Sequence, residues 1–190
     1  MYNIYTTVER LGFFWLLWSI LPQQIHRTLS KMSGTDIKPP LPPFTAETAL
    51  RKVKMAQDLW NTRDPEKVVL AYNSDTIWRN RDQFMRGHEE VKEFLRKKWE
   101  KENGYRLRKD LFAFTDNKIA VQFFYEWFDT KEDGSRQWYR TYGLEDWTFG
   151  DDGRMRKRQM SGNDVPITEE ERWFKDGVDV NSLDISEKHL

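Results

Sequence analysis

Between residues 45 and 61 the apolar positions Ala49, Val53, Ala56 and Trp60 recur at spacings of four, three and four. That is the period of one buried helix face, and Thr45 stands where an N-cap belongs. The pattern predicts a helix from about 45 to 61. Asp64 followed by Pro65 is a second start signal, a cap and then a residue whose missing N–H costs nothing in the first turn. It predicts a short helix ending near Tyr72, followed by a short, polar strand at 76–81. Gly87 precedes a third helix over about 88–102, with Val91, Leu95 and Trp99 in one stripe and Phe94 beside it. Four longer strand-like segments follow, at 105–114, 118–128, 137–149 and 155–165. Asp116-Asn117, Asp133-Gly134 and Asp151-Asp152-Gly153 separate them with hairpin turn chemistry. Helices first and an antiparallel sheet after imply an α+β fold, the helices packed across a strongly curved sheet.

The segment at 118–128 is unusual because neither face is polar. Ile119, Val121, Phe123, Tyr125 and Trp127 occupy the odd positions, yet Ala120, Phe124 and Phe128 accompany Gln122 and Glu126 on the even ones. A sheet with helices on one side and a partner subunit on the other accounts for this. Outside the core, Leu11 to Leu21 is apolar apart from Gly12 and Ser19, short of the ~20 residues a spanning helix needs. It lacks a positive cluster before it and a small-residue cleavage pattern after it. Two readings stand: a mitochondrial or other targeting segment within 1–31, or an extension ahead of a start at Met32. Membrane association is expected only if 11–21 is retained as an anchor, and otherwise a cytoplasmic location. The expected organisation is an extension over 1–40 with a Pro-rich end, a folded domain over 41–174 and a flexible acidic tail over 175–190.

Composition narrows the function classes. Charged residues make up 33% of the chain, and the interior is supplied by nine Trp and twelve Phe, each ring burying roughly 150–250 Å². Lys plus Arg and Asp plus Glu both number 31, so no global field favours nucleic acid. The basic stretch Arg154, Arg156, Lys157 and Arg158 is split over two faces by alternation and reads as a solvated strand. With no Cys and three His, thiolate chemistry, a His-based metal cluster and a Ser-His-Asp triad are disfavoured. No P-loop or Rossmann glycine pattern is present. The expectation is therefore no cofactor and no metal, with any catalysis carried by carboxylates, Arg and Tyr.

Six ordered blocks are similar to a known group. They are Pro42-Pro43-Phe44-Thr45, Trp60-Asn61-Thr62-Arg63-Asp64-Pro65, Trp78-Arg79-Asn80-Arg81, Tyr125-Glu126-Trp127, Gln137-Trp138-Tyr139-Arg140 and Asn163-Asp164-Val165-Pro166-Ile167. From about Pro40 to Phe174 the chain resembles the nuclear-transport-factor-2-like (SnoaL-like) superfamily and, within it, the domain of unknown function 1348. The resemblance implies a cone-shaped, curved antiparallel sheet wrapped around the three N-terminal helices, a conical small-molecule pocket, and homodimers that pair through the sheet. The superfamily spans dehydratases, isomerases, hydrolases, cyclases and non-catalytic modules, so fold alone does not choose among them.

Several residues carry candidate chemistry. Glu126, between two aromatic residues in the most apolar strand, is the leading candidate acid or base; a structural ion pair with Arg140 or Arg79 is the competing role. Arg140 and Tyr142 share a face of the next strand, one suited to orienting a substrate oxygen and the other to donating a proton. Trp78, Arg79, Asn80 and Arg81 place two cations on one strand face and an aromatic with an amide on the other. Together with Trp138 they form the candidate ligand contacts, the guanidinium forks matching a carboxylate or phosphate. These readings favour an unknown small molecule as partner, bound by a cofactor-free lyase, isomerase or hydrolase. A non-catalytic dimerisation or protein-binding module is the alternative.

Overall fold

The computed structural model describes residues 37–189, so the apolar run at 11–21 and Met32 lie outside the described residues. Three helices, α1 (Ala46–Asn61), α2 (Pro65–Val69) and α3 (Gly87–Lys101), accompany six strands: β1 (Tyr72–Asn80), β2 (Gln83–Arg86), β3 (Asn103–Phe114), β4 (Lys118–Thr130), β5 (Arg136–Phe149) and β6 (Met155–Ile167). Thr45 and Thr48 form a reciprocal capping box at the start of α1, and the Asp64 side chain accepts from the Glu66 and Lys67 amides ahead of α2. Both start signals read from sequence therefore act through the groups that make them signals.

The strands form one sheet in the order β2-β1-β6-β5-β4-β3. Its curvature around the helices matches the expected cone, with two differences, one being that β1 runs parallel to β6, so the sheet is mixed. The other difference is β2, a four-residue strand too short for alternation to register. Arg81, at φ 58°, reverses the chain between β1 and β2.

Every second residue of the sheet faces the helices. Leu107, Phe123, Tyr125, Trp147, Met160 and Trp78 pack there with Ala49, Val53, Trp60, Val91 and Leu95 in a single core. Trp60 of α1 stacks on Trp78 of β1 with centroids 5.8 Å apart. Edge strand β3 is closed by α1. The Asn61 amide donates to the Leu107 carbonyl and accepts from its N–H, both at 2.9 Å, and Gln57 accepts from the Lys109 N–H at 2.9 Å. Two helix amides one turn apart thus satisfy backbone groups that an edge leaves open.

On the outer face, Phe124, an apolar even position of β4, is covered by the chain itself. Phe124 packs with Phe174 and Val180, flanked by Tyr142, Trp173, Leu183 and Ile185. The segment expected to be a flexible tail lies along this face. Arg106 donates to the carbonyls of Phe174, Lys175 and Val178, and Arg108 donates to those of Val180 and Leu183. Acidic and polar composition concealed a segment held through its backbone, which sequence periodicity does not report.

Candidate functional site

The interior of the cone is where the resemblance places a pocket. Lys109 of β3, Glu145 of β5 and Arg158 of β6 point into it from neighbouring register positions, each side chain 2% exposed. Glu145 accepts from Lys109 Nζ at 2.8 Å, from Arg158 at 2.6 Å and from Trp147 Nε1 at 2.6 Å. Asn80 Oδ1 accepts from Arg158 at 3.2 Å. Aromatic faces surround the cations: Arg158 lies 4.7 Å from both the Trp60 and Trp78 centroids, and Lys109 lies 5.0 Å from Phe123. Burial alone would raise the Glu145 carboxyl, but Arg158 and Lys109 override it and hold it at about 2. Burial lowers Lys109 to about 8, aided by Arg158 and opposed by Glu145. The cluster is ionised at neutral pH, carrying two cations and one anion.

Nearer the rim, Lys98 pairs with Glu102 at 2.5 Å and donates to the Tyr125 hydroxyl at 3.2 Å. Arg81 reaches Asp164 at 2.5 Å, and Asp164 also accepts from Thr141 at 2.6 Å. The space left inside is about 10 Å³, the volume of one water-sized sphere and far below that of a ligand pocket. Side chains and their ion pairs fill the cone.

A larger space lies on the other side of Trp60. A half-open cleft of about 690 Å³ runs between α1, α2 and the β5–β6 turn region, lined by Met55, Ala56, Leu59, Trp60, Leu70, Ala71, Tyr72, Trp147, Phe149 and Met155, with Lys38, Lys52, Asp58 and Lys67 among its polar residues. Trp60 and Trp147 separate it from the buried charges. Trp60 lines both spaces, and Trp147 lines the cleft while its Nε1 donates to Glu145.

The residues singled out from sequence divide between the two faces. Glu126, Arg140 and Tyr142 are brought together, but on the outer face. Arg140 donates to Glu126 at 2.9 Å and to the Tyr142 hydroxyl at 3.4 Å. Glu126 also accepts the backbone N–H groups of Trp173 at 2.8 Å and Phe174 at 2.9 Å. Of the two roles open to Glu126, the geometry matches the structural pair with Arg140, in register across β4 and β5. Period two sends Tyr125 and Trp127 inward and Glu126 outward, so this trio lies on the face of the sheet opposite the interior of the cone. Trp138 is also on the outer face, under the Arg172 guanidinium at 3.7 Å.

In the remaining block Trp78 and Asn80 face inward and Arg79 outward, as alternation requires, with Arg79 donating to Arg81 and Met160 carbonyls and to Ser161. Arg81 does not share its face. Its left-handed backbone ends the strand, and its side chain turns back to Gly162, Asp164 and Tyr125 at the rim. Arg158, expected in a solvated stretch, is buried on the inward face with Met160, while Arg156 is exposed, because the β5–β6 register shifts at Arg156 and breaks the alternation there. Sequence reading passed over Lys109, Glu145 and Lys52. A signal existed for the first two, opposite charges embedded in the inward series Tyr105, Leu107, Leu111 and Tyr139, Trp147, Phe149. Among the described residues no group of three His, Asp or Glu is placed to hold a metal, and no helix is long and apolar enough to cross a membrane.

Comparison with known proteins agrees with this architecture. A search of curated proteins finds no match. Among solved structures the chain is similar to SalBIII, an epoxide hydrolase/cyclase-like enzyme of pyran ring formation in the polyether salinomycin, with TM-score 0.52 and 12% identity over 62% of this chain and 92% of that one. It is also similar to a protein described as a SnoaL-like polyketide cyclase from Shewanella putrefaciens CN-32, with TM-score 0.53 and 12% identity over 60% and 88%. These likenesses concern the fold. The family described as "Protein of unknown function (DUF1348)" matches residues 42–175, and the chain belongs to that family, with a fold similar to that of SnoaL-like proteins.

Proposed function

We propose that the protein binds an apolar small molecule in the cleft between α1, α2 and the β5–β6 turn region. The observation that carries this reading is the cleft itself. Its volume of about 690 Å³ falls within the roughly 300–1,000 Å³ of ligand pockets, and its walls are aromatic and aliphatic with a few polar groups at the edge. Met55 and Leu70 there are 46% and 54% exposed, so a ligand would remove apolar surface from water. The reading is one of binding. The expected lyase, isomerase or hydrolase chemistry rested on Glu126, whose oxygens are occupied on the opposite face.

Fluorescence titration with the neutral probe N-phenyl-1-naphthylamine tests this. Saturable binding that quenches Trp emission and is lost in Ala56→Phe or Ala71→Phe, while Glu126→Gln retains it, supports the cleft. Absence of saturable binding to the folded wild type overturns it.

Pairing of two copies through the sheet is the second reading. The C-terminal segment confines it to the rest of the outer face, where Ile77 and Leu144 are 37% and 54% exposed. A monomer at high concentration in analytical ultracentrifugation, unchanged by Leu144→Glu, excludes it.

A further inference from the structure

Lys52 lines the cleft, and among the described residues no salt bridge compensates its charge. Its Nζ donates to the Lys38 carbonyl at 2.7 Å and the Pro40 carbonyl at 3.2 Å, which uses two of three ammonium donors on neutral acceptors. The Phe149 ring lies 5.4 Å away. Among the described residues no carboxylate stands within salt-bridge distance of it. Asp152, in the β5–β6 turn, is paired with Arg154 at 3.0 Å. Lys67, the other α-helical lysine of the cleft, is paired with Asp64 at 3.0 Å. A partly buried ammonium without a counter-ion is an unfavourable arrangement, relieved when an anion arrives with it in the same low-polarity surroundings.

Resting on the cleft as a binding site, we infer that its ligand is an apolar monocarboxylate, the carboxylate set on Lys52 Nζ and the hydrocarbon body against Leu59, Trp60, Trp147 and Met155. The third ammonium donor supplies a charge-assisted hydrogen bond, and the body gains burial over aromatic and aliphatic walls. The groups facing Lys52 from other elements are Asp152, Lys38 and Phe149. Burial lowers its pKa to about 8, Asp152 opposing this and Lys38 adding to it. A carboxylate ligand prefers the charged form, so its affinity declines as pH rises through about 8.

The test uses the full chain at neutral pH and follows Trp fluorescence with decanoate, 1-decanol and decyltrimethylammonium, each below its aggregation limit. The expected result is decanoate binding on the order of 10-fold more tightly than the alcohol and the cation most weakly. Lys52→Met abolishes that preference while keeping the alcohol and the neutral naphthylamine probe; Lys52→Arg retains it and removes the decline at alkaline pH. Equal affinities for acid and alcohol, or an acid preference that survives Lys52→Met, overturn the inference and leave the cleft intact. Failure of all ligands and of the neutral probe overturns the binding site itself.

Discussion

The Glu126 carboxylate on β4 accepts the backbone N–H of Trp173 at 2.8 Å, across a separation of 47 residues. With the Phe174 N–H and Arg140 also on it, this fully buried side chain is a clasp. It gathers orphan amides of the C-terminal segment onto a charge that Arg140 neutralises, and Trp173 lies over the Arg140 guanidinium at 3.6 Å. Glu126→Ala leaves a buried guanidinium unpaired and is expected to cost roughly 3–5 kcal/mol. Limited proteolysis checks the local part: cleavage after residue 168 accelerates more than cleavage elsewhere, while the naphthylamine probe still binds. Unchanged proteolysis rules out the clasp.

The Lys109–Glu145–Arg158 cluster supports the inside of the cone. Glu145→Gln leaves two buried cations with no anion and is expected to destabilise by about 3–5 kcal/mol. Replacing all three with Met, Leu and Met is expected to cost less, because no buried charge remains to be compensated. Urea denaturation of both variants decides this, and the opposite order refutes the ion-cluster account.

Acid sensitivity follows from the same group. Glu145 is held at about 2 against an ordinary 4.5, so the unfolded chain binds a proton before the folded one as pH falls. Its contribution is full above about 4.5, is lost on descent toward about 2, and amounts to roughly 3 kcal/mol. Lys109 gives the same sign in a higher window: with its folded value at about 8, below 10.5, it opposes folding at neutral pH and that penalty is relieved as pH rises between those values. The denaturation midpoint measured from neutral pH down through this acid window is expected to drop less steeply in the Met-Leu-Met variant than in wild type.

Gly143, in mid-β5, is required by close packing. A Cβ there would sit 2.1 Å from Phe123 Cζ and 2.7 Å from the Ser161 carbonyl oxygen, far inside contact distance. Gly143→Ala is expected to destabilise by about 1–3 kcal/mol or more through forced displacement of the ring. Thermal melting reads the loss, and Phe123→Leu combined with Gly143→Ala recovers part of it. A melting temperature equal to wild type refutes the packing.

The elements were written locally. The period of Ala49, Val53, Ala56 and Trp60, the caps at Thr45 and Asp64 and the turns at Gly134 and Gly153 act within a few residues, and they fixed three helices and four long strands close to their observed limits. The alternation around Glu126 also carried its own answer, since Tyr125 and Trp127 turn inward and leave it outside. The parallel β1–β6 pairing, the short β2 and the covering of the outer face were decided only in three dimensions. Each depends on backbone groups meeting partners dozens of residues away, and a hydrogen bond to a carbonyl leaves no trace in residue type. The same holds for function. Sequence marked Glu126 in an apolar strand, but only the tertiary structure set Lys109, Glu145 and Arg158 against one another and left Lys52 without a salt bridge among the described residues beside an apolar cleft, because neutralisation depends on distance and not on composition.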